Sequence, residues 1–587
     1  MPIFEFDENA HLLGEVNGVD TRRVSINVES TKLTLARVGG LVAIKYPTGA
    51  VEEWLIALVD RVTRSLGEGD RDSEMGKGSG ESKKEVIEHE INMVQVVLIG
   101  TIKAKEGKKA NVFSRSILIF PGIKEKCYVL DGENLQKFMA IISAGGAGEH
   151  SLAVGHYTLD PHAIAYIDGN KLFQRHAALL GSTGSGKSWT VATILERAKE
   201  LPSANMLLFD LHGEYKSLKY ARHLRVAGPD DLAGSGPDVL FLPYWLLNAE
   251  EMQAMFIDRS EFSAHNQVMI FQKEVTELKK LHLEELDKSD VLNSFTIDSP
   301  VPFPLIELIK RITEKNEERV QGERGLKQGE FYAQFSRLLI RLQSRINDRR
   351  YGFLFQAPEI FQQYEALHTI AGNLMDFTGK DNNRNQIKVI DFSEVPSEIL
   401  PVIVSLVARL VYQVQFWMDR EKRQPLVLVC DEAHLYLPKR GGLNPLEERA
   451  LENFEKIAKE GRKYGVGLLV VSQRPSDVSE TILSQCNNFI VLRLTNDRDQ
   501  SVVKNLLPDS MESFADLLPI LDIGEALIVG DAVLLPTRIK INPPGEDNRP
   551  DSVTMDFWKE WSQPDKSSDI VRAVENMRKQ SRSKRKK

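Results

Sequence analysis

Residues 1–165 carry short apolar or alternating runs separated by glycine- and charge-rich turns. Val24–Val28, Leu41–Lys45, Trp54–Val59, Val94–Ile99 and Ser116–Phe120 read as β-strands, and their spacing suits a small barrel. Within this region the stretch 67–85 has almost no apolar side chains and is expected to be a flexible insertion.

From His176 onward the pattern changes to strands alternating with amphipathic segments, which predicts an α/β fold: a parallel sheet with helices on its faces. His176–Leu180, Asn205–Phe209, Lys388–Phe392, Leu426–Cys430, Gly467–Val471 and Phe489–Leu492 are the candidate buried strands. Between them, Ile306–Ile312 and Phe335–Leu342 place leucine and isoleucine at helical spacing among charges. Residues 248–385 therefore read as a helical subdomain inserted into a core formed by 166–247 and 386–545. Residues 546–587 form a C-terminal extension whose last ten residues include seven cations.

The composition is that of a globular chain: 587 residues, 42% hydrophobic and 27% charged. Its net charge of −8 argues against a surface coated in cations, so any nucleic-acid contact would be concentrated in a groove or pore. Three cysteines, Cys127, Cys430 and Cys486, lack metal-knuckle spacing and fit reduced thiols in a cytoplasmic protein. No apolar run reaches membrane-spanning length, and the first residues lack a signal-peptide pattern, so no membrane association is expected.

The candidate chemistry centres on Gly181-Ser182-Thr183-Gly184-Ser185-Gly186-Lys187-Ser188, which follows an apolar strand and opens a helix at Trp189. That is the context of a phosphate-binding P-loop. Its glycines let backbone N–H groups face phosphates, Lys187 would reach the β/γ-phosphates, and Ser188 would ligate Mg²⁺. Leu426–Cys430 followed by Asp431-Glu432 has the form of a Walker B strand. Asp431 would hold Mg²⁺ through water, and Glu432 would polarise the attacking water. The cofactors expected are thus ATP and Mg²⁺.

Gln473, at the tip of the next strand, is placed to sense a γ-phosphate and orient water. Leu451, Phe454, Ile457 and Ala458 form the core stripe of a helix that Gly461 breaks, presenting Arg462 and Lys463. Arg462 is the candidate arginine finger for a neighbouring subunit. Asp210, His212 and Glu214 end another strand, where contact with the ATP site or a subunit edge is a better reading than a metal centre. Lys439 and Arg440, in a glycine-containing loop after Walker B, could face DNA or simply solvent. Asp431–His434 spells DEAH, but one nucleotide-binding core does not make the two-core DEAH-box RNA helicase.

Taken in order, these strings resemble the HerA-type DNA translocases of the HerA/FtsK superfamily. The resemblance rests on GSTGSGKS at Gly181, DLHGEY at Asp210, LPYWLLNAEE at Leu242 and LQSRINDRRYGF at Leu342. It continues through IDFSEVPSEI at Ile390, LVCDEAHLYLP at Leu428, EGRKYGVGLLVVSQRPSDV at Glu460 and GEALIVGDAVLLPTRIKI at Gly524. Leu211 departs from a proline frequent in the family. The resemblance implies a RecA-like core, a helical insertion and an N-terminal barrel, assembled as a homohexamer around double-stranded DNA. It also implies an effector on the barrel: a NurA-like nuclease, a Sir2-like protein or another effector, serving DNA end processing or antiphage defence. The competing reading is an ATP-gated scaffold that activates such an effector with little translocation. A signal-transduction ATPase fits less well, because the chain lacks internal repeats.

Overall fold

The computed structural model describes residues 3–20, 23–45, 53–69, 87–104, 111–232, 236–323, 325–376, 386–507, 509–551, 557–563 and 569–580. The chain divides into two compact units. The first comprises 1–197, 474–476 and 486–543; the second comprises 198–473, 477–485 and 544–587.

In the first unit, seven strands form an antiparallel sheet: β1 (Leu12–Val19), β2 (Arg23–Asn27), β3 (Leu41–Lys45), β4 (Glu53–Gly69), β5 (Ile87–Lys103), β6 (Val112–Ser114) and β7 (Lys126–Val129). Their order is β2-β1-β7-β3-β4-β5-β6. Pairing of β2 with β5 from Arg23↔Val97 to Asn27↔Met93 closes six of them into a barrel. Alternation explains the closure. Val24 and Ile26, Val42 and Ile44, Leu55 and Ala57, and Val94 and Val96 all point into one buried core.

Two expectations change in this unit. The stretch expected to be a flexible insertion is strand at its start, because β4 and β5 remain paired out to Gly69↔Ile87; the rest of 67–85 lies outside the described residues. The run Ser116–Phe120 is not a strand. Arg115 donates to the Gly530 carbonyl at 2.9 Å and draws the chain off the sheet after β6. Leu118 is left 79% exposed.

The same unit contains β8 (Ser151–Tyr157), β9 (Ile164–Asp168) and β10 (Ala177–Leu180), which precedes the P-loop and the helix Lys187–Ala198. β10 pairs in parallel with the later strand Asn488–Leu492. That strand is followed antiparallel by Glu525–Gly530, then by Thr537–Ile541, and finally by the β8–β9 hairpin.

The second unit is built on a wholly parallel sheet. Its strands are β11 (Met206–Asp210), β12 (Arg222–Val226) and β13 (Val239–Leu240), then β16 (Ile387–Asp391), β17 (Leu426–Cys430) and β18 (Val466–Ser472). The intervening β14 (Arg319–Gly322) and β15 (Gly325–Gln328) form a separate hairpin. The parallel order is β13-β12-β16-β11-β17-β18. Every residue of β11, β16, β17 and β18 is buried, as expected of strands covered on both faces. Most of residues 249–375 are helical, with Leu308 and Ile312 on one helix and Leu338, Leu339 and Leu342 on another turned inward.

The helix Leu400–Trp417 corrects one expectation, since it is long and apolar enough to cross a membrane. Burial of 72% of it makes it a core helix here. Arg409, in its middle, donates to both carboxylate oxygens of Glu251 at 3.0 and 2.7 Å. Asn453 of the helix Pro445–Glu460 donates to the same Glu251 at 3.2 Å and to Ser405 at 2.9 Å. A polar seam thereby ties together the three helices that carry Glu251, Arg409 and Asn453. A charge buried with satisfied partners is tolerated, whereas removing one partner is costly.

Lys388 stands in the middle of β16 and is fully buried. Its ammonium donates to Asn205 Oδ1 at 2.9 Å and to the Asp376 carbonyl at 3.2 Å. Burial pushes its pKa down to about 7. Above that pH the folded chain holds this lysine neutral while the unfolded chain keeps it protonated to its ordinary pKa of 10.5. Stability therefore rises with pH across that window, by about 1.4 kcal/mol per pH unit at most for this group. Urea midpoints between pH 7 and 9 should show this increment in the native chain, and Lys388→Met should lack it.

Candidate nucleotide site

The P-loop lies in the first unit, between β10 and the helix Lys187–Ala198. Ser182 N–H donates to the Arg493 carbonyl at 2.8 Å, and Thr495 N–H donates to Ser182 Oγ at 3.3 Å. The carbonyl of Ser185 accepts from Gly524 N–H at 3.0 Å. These bonds pin the loop at both ends. Gly184 and Gly186 have φ of +74° and +104°, a backbone that side chains resist. A Cβ on Gly181 would lie 2.6 Å from Ser185 Oγ and 2.9 Å from Leu492 Cβ.

These features fit a triphosphate. Positive-φ glycines allow successive N–H groups to turn into one concavity, and a Cβ at Gly184 would find no heavy atom within 4 Å. A helix start presents backbone N–H groups and a positive dipole end to the same kind of ligand. Lys187, 8% exposed, arches back so that Nζ donates to the Ser182 carbonyl at 3.2 Å. Thr190 Oγ1 donates to the Gly186 carbonyl at 2.9 Å and fixes the first helical turn. Trp189, next to Ser188, is 37% exposed.

The other expected site residues belong to the second unit. Asp431 and Glu432 follow β17 directly. Asp431 is buried, and its Oδ1 accepts from Glu432 N–H at 3.0 Å. Burial first, and then the neighbouring Glu432 charge, push its pKa up to about 7. Two carboxylates side by side in a dry setting are a donor set that a divalent cation satisfies. The buried Tyr436 hydroxyl donates to the Asp431 carbonyl at 2.9 Å and fixes the strand end. Glu432 sits in the left-handed region, with φ 47° and ψ 43°. A non-glycine residue held there costs of order 1 kcal/mol, a strain that persists at functional sites.

Glu432 Oε2 lies 3.3 Å from His434 Nδ1, and that nitrogen lies 3.5 Å from Ser472 Oγ at the end of β18. Gln473 follows at once and is half-buried. Sequence reading passed over His434, because a DEAH string does not show which way the imidazole turns.

Asp210 holds its own loop together. Its two oxygens accept from the backbone N–H groups of His212, Gly213, Glu214 and Tyr215, at 2.8 to 3.3 Å. It is the organiser of the loop after β11. The aspartate, three residues before a glycine at φ +73°, was a legible signal for such a turn.

Arg462 is exposed on the short turn Gly461–Tyr464 that ends the helix Pro445–Glu460. The turn is clamped from beneath. Tyr412 donates its hydroxyl to Glu460 at 2.9 Å, and Tyr464 packs edge-on to Tyr412 with centroids 5.7 Å apart. The Arg423 guanidinium lies 5.1 Å from the Tyr464 ring centre. Lys439 pairs with Glu480 at 2.5 Å, and Arg440 pairs with Glu455 at 2.8 Å. To meet DNA phosphates, both would have to give up carboxylates.

A strand, a glycine loop in these conformations and a helix begun by Lys187-Ser188 define a P-loop NTPase. The family model for the central domain of helicase HerA matches residues 152–411, and that for the HerA-like C-terminal region matches 376–538. The chain belongs to the HerA/FtsK superfamily of P-loop ATPases. It is 26% identical over 431 residues to "Probable helicase MJ1565" of Methanocaldococcus jannaschii, covering 72% of this chain and 71% of that protein. It is 26% identical over 380 residues to the DNA double-strand break repair helicase HerA of Saccharolobus solfataricus, covering 63% and 64%. Roughly a third of each relative thus lies outside the match. Among solved structures, VirB4 of Thermoanaerobacter pseudethanolicus is 18% identical, with a TM-score of 0.43 over 68% of this chain and 98% of that one.

Gly181→Ala should be sterically excluded from the native loop, with a cost of about 1–3 kcal/mol. A lowered melting temperature, together with lost binding of a fluorescent ATP analogue, is the expected result.

Proposed function

We propose that this ATPase is the subunit of a homohexameric, ATP-driven double-stranded DNA translocase or helicase. It would work in the cytoplasm with an effector carried on its N-terminal barrel, a NurA-like nuclease or a Sir2-like or other protein. DNA end processing and antiphage defence are the two settings. The observation that carries the motor reading is Glu432, strained into place beside a buried Asp431 at the end of a parallel strand. Such a pair serves to polarise water, and relatives of this chain are named DNA double-strand break repair helicases, which supports the motor reading. Cys127, Cys430 and Cys486 are buried thiols outside any disulfide, which supports a reducing compartment.

The roles follow residue by residue. Gly181 to Gly186 cradle the phosphates, and Lys187 balances charge on the β- and γ-groups. Ser188 and Asp431 are the protein's contributions to Mg²⁺, which supplies charge neutralisation on the phosphates when bound. Glu432 takes the proton of the attacking water, and Gln473 orients that water. Exposed Arg462, held by the Tyr412–Glu460–Tyr464 clamp, serves a neighbouring subunit. The exposed Leu118 and Ile123 of the first unit favour the scaffold reading as a second possibility, because they offer apolar area to an effector.

Glu432→Gln should retain ATP and lose hydrolysis by about 100-fold or more in single-turnover assays. Turnover like the native chain's would remove Glu432 from its role. Mixing Arg462→Ala with Lys187→Ala subunits should restore part of the activity that each lacks alone, provided that the arginine acts in trans. Motor and scaffold separate on DNA-stimulated ATPase and triplex displacement: the motor shows both, and the scaffold activates its effector with neither.

A further inference from the structure

The imidazole of His434 lies between the two strand ends on which hydrolysis depends. It follows β17 by four residues, and its Nδ1 lies 3.3 Å from Glu432 Oε2. Ser472, the last residue of β18 and fully buried, places Oγ 3.5 Å from the same Nδ1. Both separations exceed a tight N–H···O bond. Only the Ser472 contact has hydrogen-bond geometry in this arrangement; Glu432 Oε2 is the second acceptor within reach of Nδ1.

We place the ring hydrogen on Nδ1, because a bare ring nitrogen would repel a carboxylate oxygen at that distance. The ring is half-buried, with its side chain 13% exposed, so solvent offers only a limited alternative to these partners. The backbone leaves Glu432 little freedom, since φ 47° fixes where its side chain starts. What remains adjustable is the far end of the carboxylate, where His434 acts. Gln473 is covalently next to Ser472, so displacement of Gln473 shifts the competing acceptor directly.

We propose that His434 is a positioning residue that couples the tip of β18 to Glu432. With Nδ1–H turned to Glu432, the carboxylate is steered by the imidazole. With Nδ1–H turned to Ser472, the carboxylate is released to accept a proton from water. Movement at Gln473 selects between the two. No bond beyond hydrogen bonds is made or broken in this exchange. The proposal rests on Glu432 being the base of the ATPase reaction and adds the device that times its use.

The variants to compare in the full-length chain are His434→Ala, His434→Asn and Ser472→Ala. Asparagine keeps an N–H near the Nδ1 position, whereas alanine has none. His434→Ala should lower kcat by about 10- to 100-fold, the scale of a misplaced catalytic group, while KM for ATP changes by less than about threefold. His434→Asn should recover most of that loss. Ser472→Ala should lower kcat as well, and combining it with His434→Ala should add nothing further, because both remove one exchange. Equal turnover in the alanine and asparagine variants, whether both are native-like or both dead, overturns the proposal, as does additivity of the His434 and Ser472 changes. If His434→Ala does not fold, the comparison of His434→Asn with Ser472→Ala decides: a native-like Ser472→Ala overturns the coupling. Glu432→Gln measured alongside separates the two levels. Native turnover there removes the ATPase assignment itself, whereas a dead Glu432→Gln beside a fully active His434→Ala removes only the coupling.

Discussion

A sheet buried on both faces allows charged side chains to meet a ligand only beyond the ends of its strands, and the chemistry of the second unit follows from that constraint. β11, β16, β17 and β18 are covered along their whole lengths. Polar residues gather at or just past the carboxyl ends: Asp210, Asp391, Asp431 with Glu432, and Ser472 with Gln473. The low polarity that packs the strands also raises the free energy of an unpaired carboxylate, which is why Asp431 approaches neutrality. The sheet thereby creates a demand for positive charge at one edge. The demand follows from the packing and would exist for any parallel sheet ending in two adjacent acids.

Burial also divides these carboxylates into different kinds. Asp210 is satisfied by four backbone N–H groups and shapes its own loop. Asp391 meets Lys216 at 3.1 Å. Asp431 receives one short-range N–H and has a strained glutamate for a neighbour. Aspartates at equivalent strand ends thus differ in environment, one satisfied by backbone, one by a lysine and one left short of donors, and the difference lies in which donors the following loop supplies.

Much of this was legible in the chain. Runs of apolar residues located β11, β16, β17 and β18 to within a residue, because full burial leaves a continuous hydrophobic signature, whereas the partly buried β12 and β13 left none. The P-loop spacing marked the phosphate cradle, since only glycine tolerates the φ of positions 184 and 186. What escaped is what depends on distant partners. Ser116–Phe120 has strand-like composition, but the Arg115–Gly530 hydrogen bond decides its course from four hundred residues away. The carboxylates beside Lys439 and Arg440 lie up to 41 residues away in sequence, so spacing alone could not show that those cations are compensated. The apolar helix Leu400–Trp417 was passed over because Arg409 interrupts it, and that arginine proves to be buried against Glu251. The left-handed conformation of Glu432 has no signature in residue type at all.

Lys388 has a consequence for how the sheet assembles. Parallel strands rich in valine, isoleucine and leucine are nearly interchangeable from one register to the next, since a shift replaces one apolar contact with another. The ammonium in the middle of β16 breaks that degeneracy. Only in the observed alignment with β11, where Met206 faces Ile387 and Asp210 faces Asp391, does it reach both Asn205 and the Asp376 carbonyl. Any other alignment would leave a cation stranded among hydrocarbons. An interior lysine that weakens the sheet thus acts as its alignment key, and it brings the acidic strand ends level with one another.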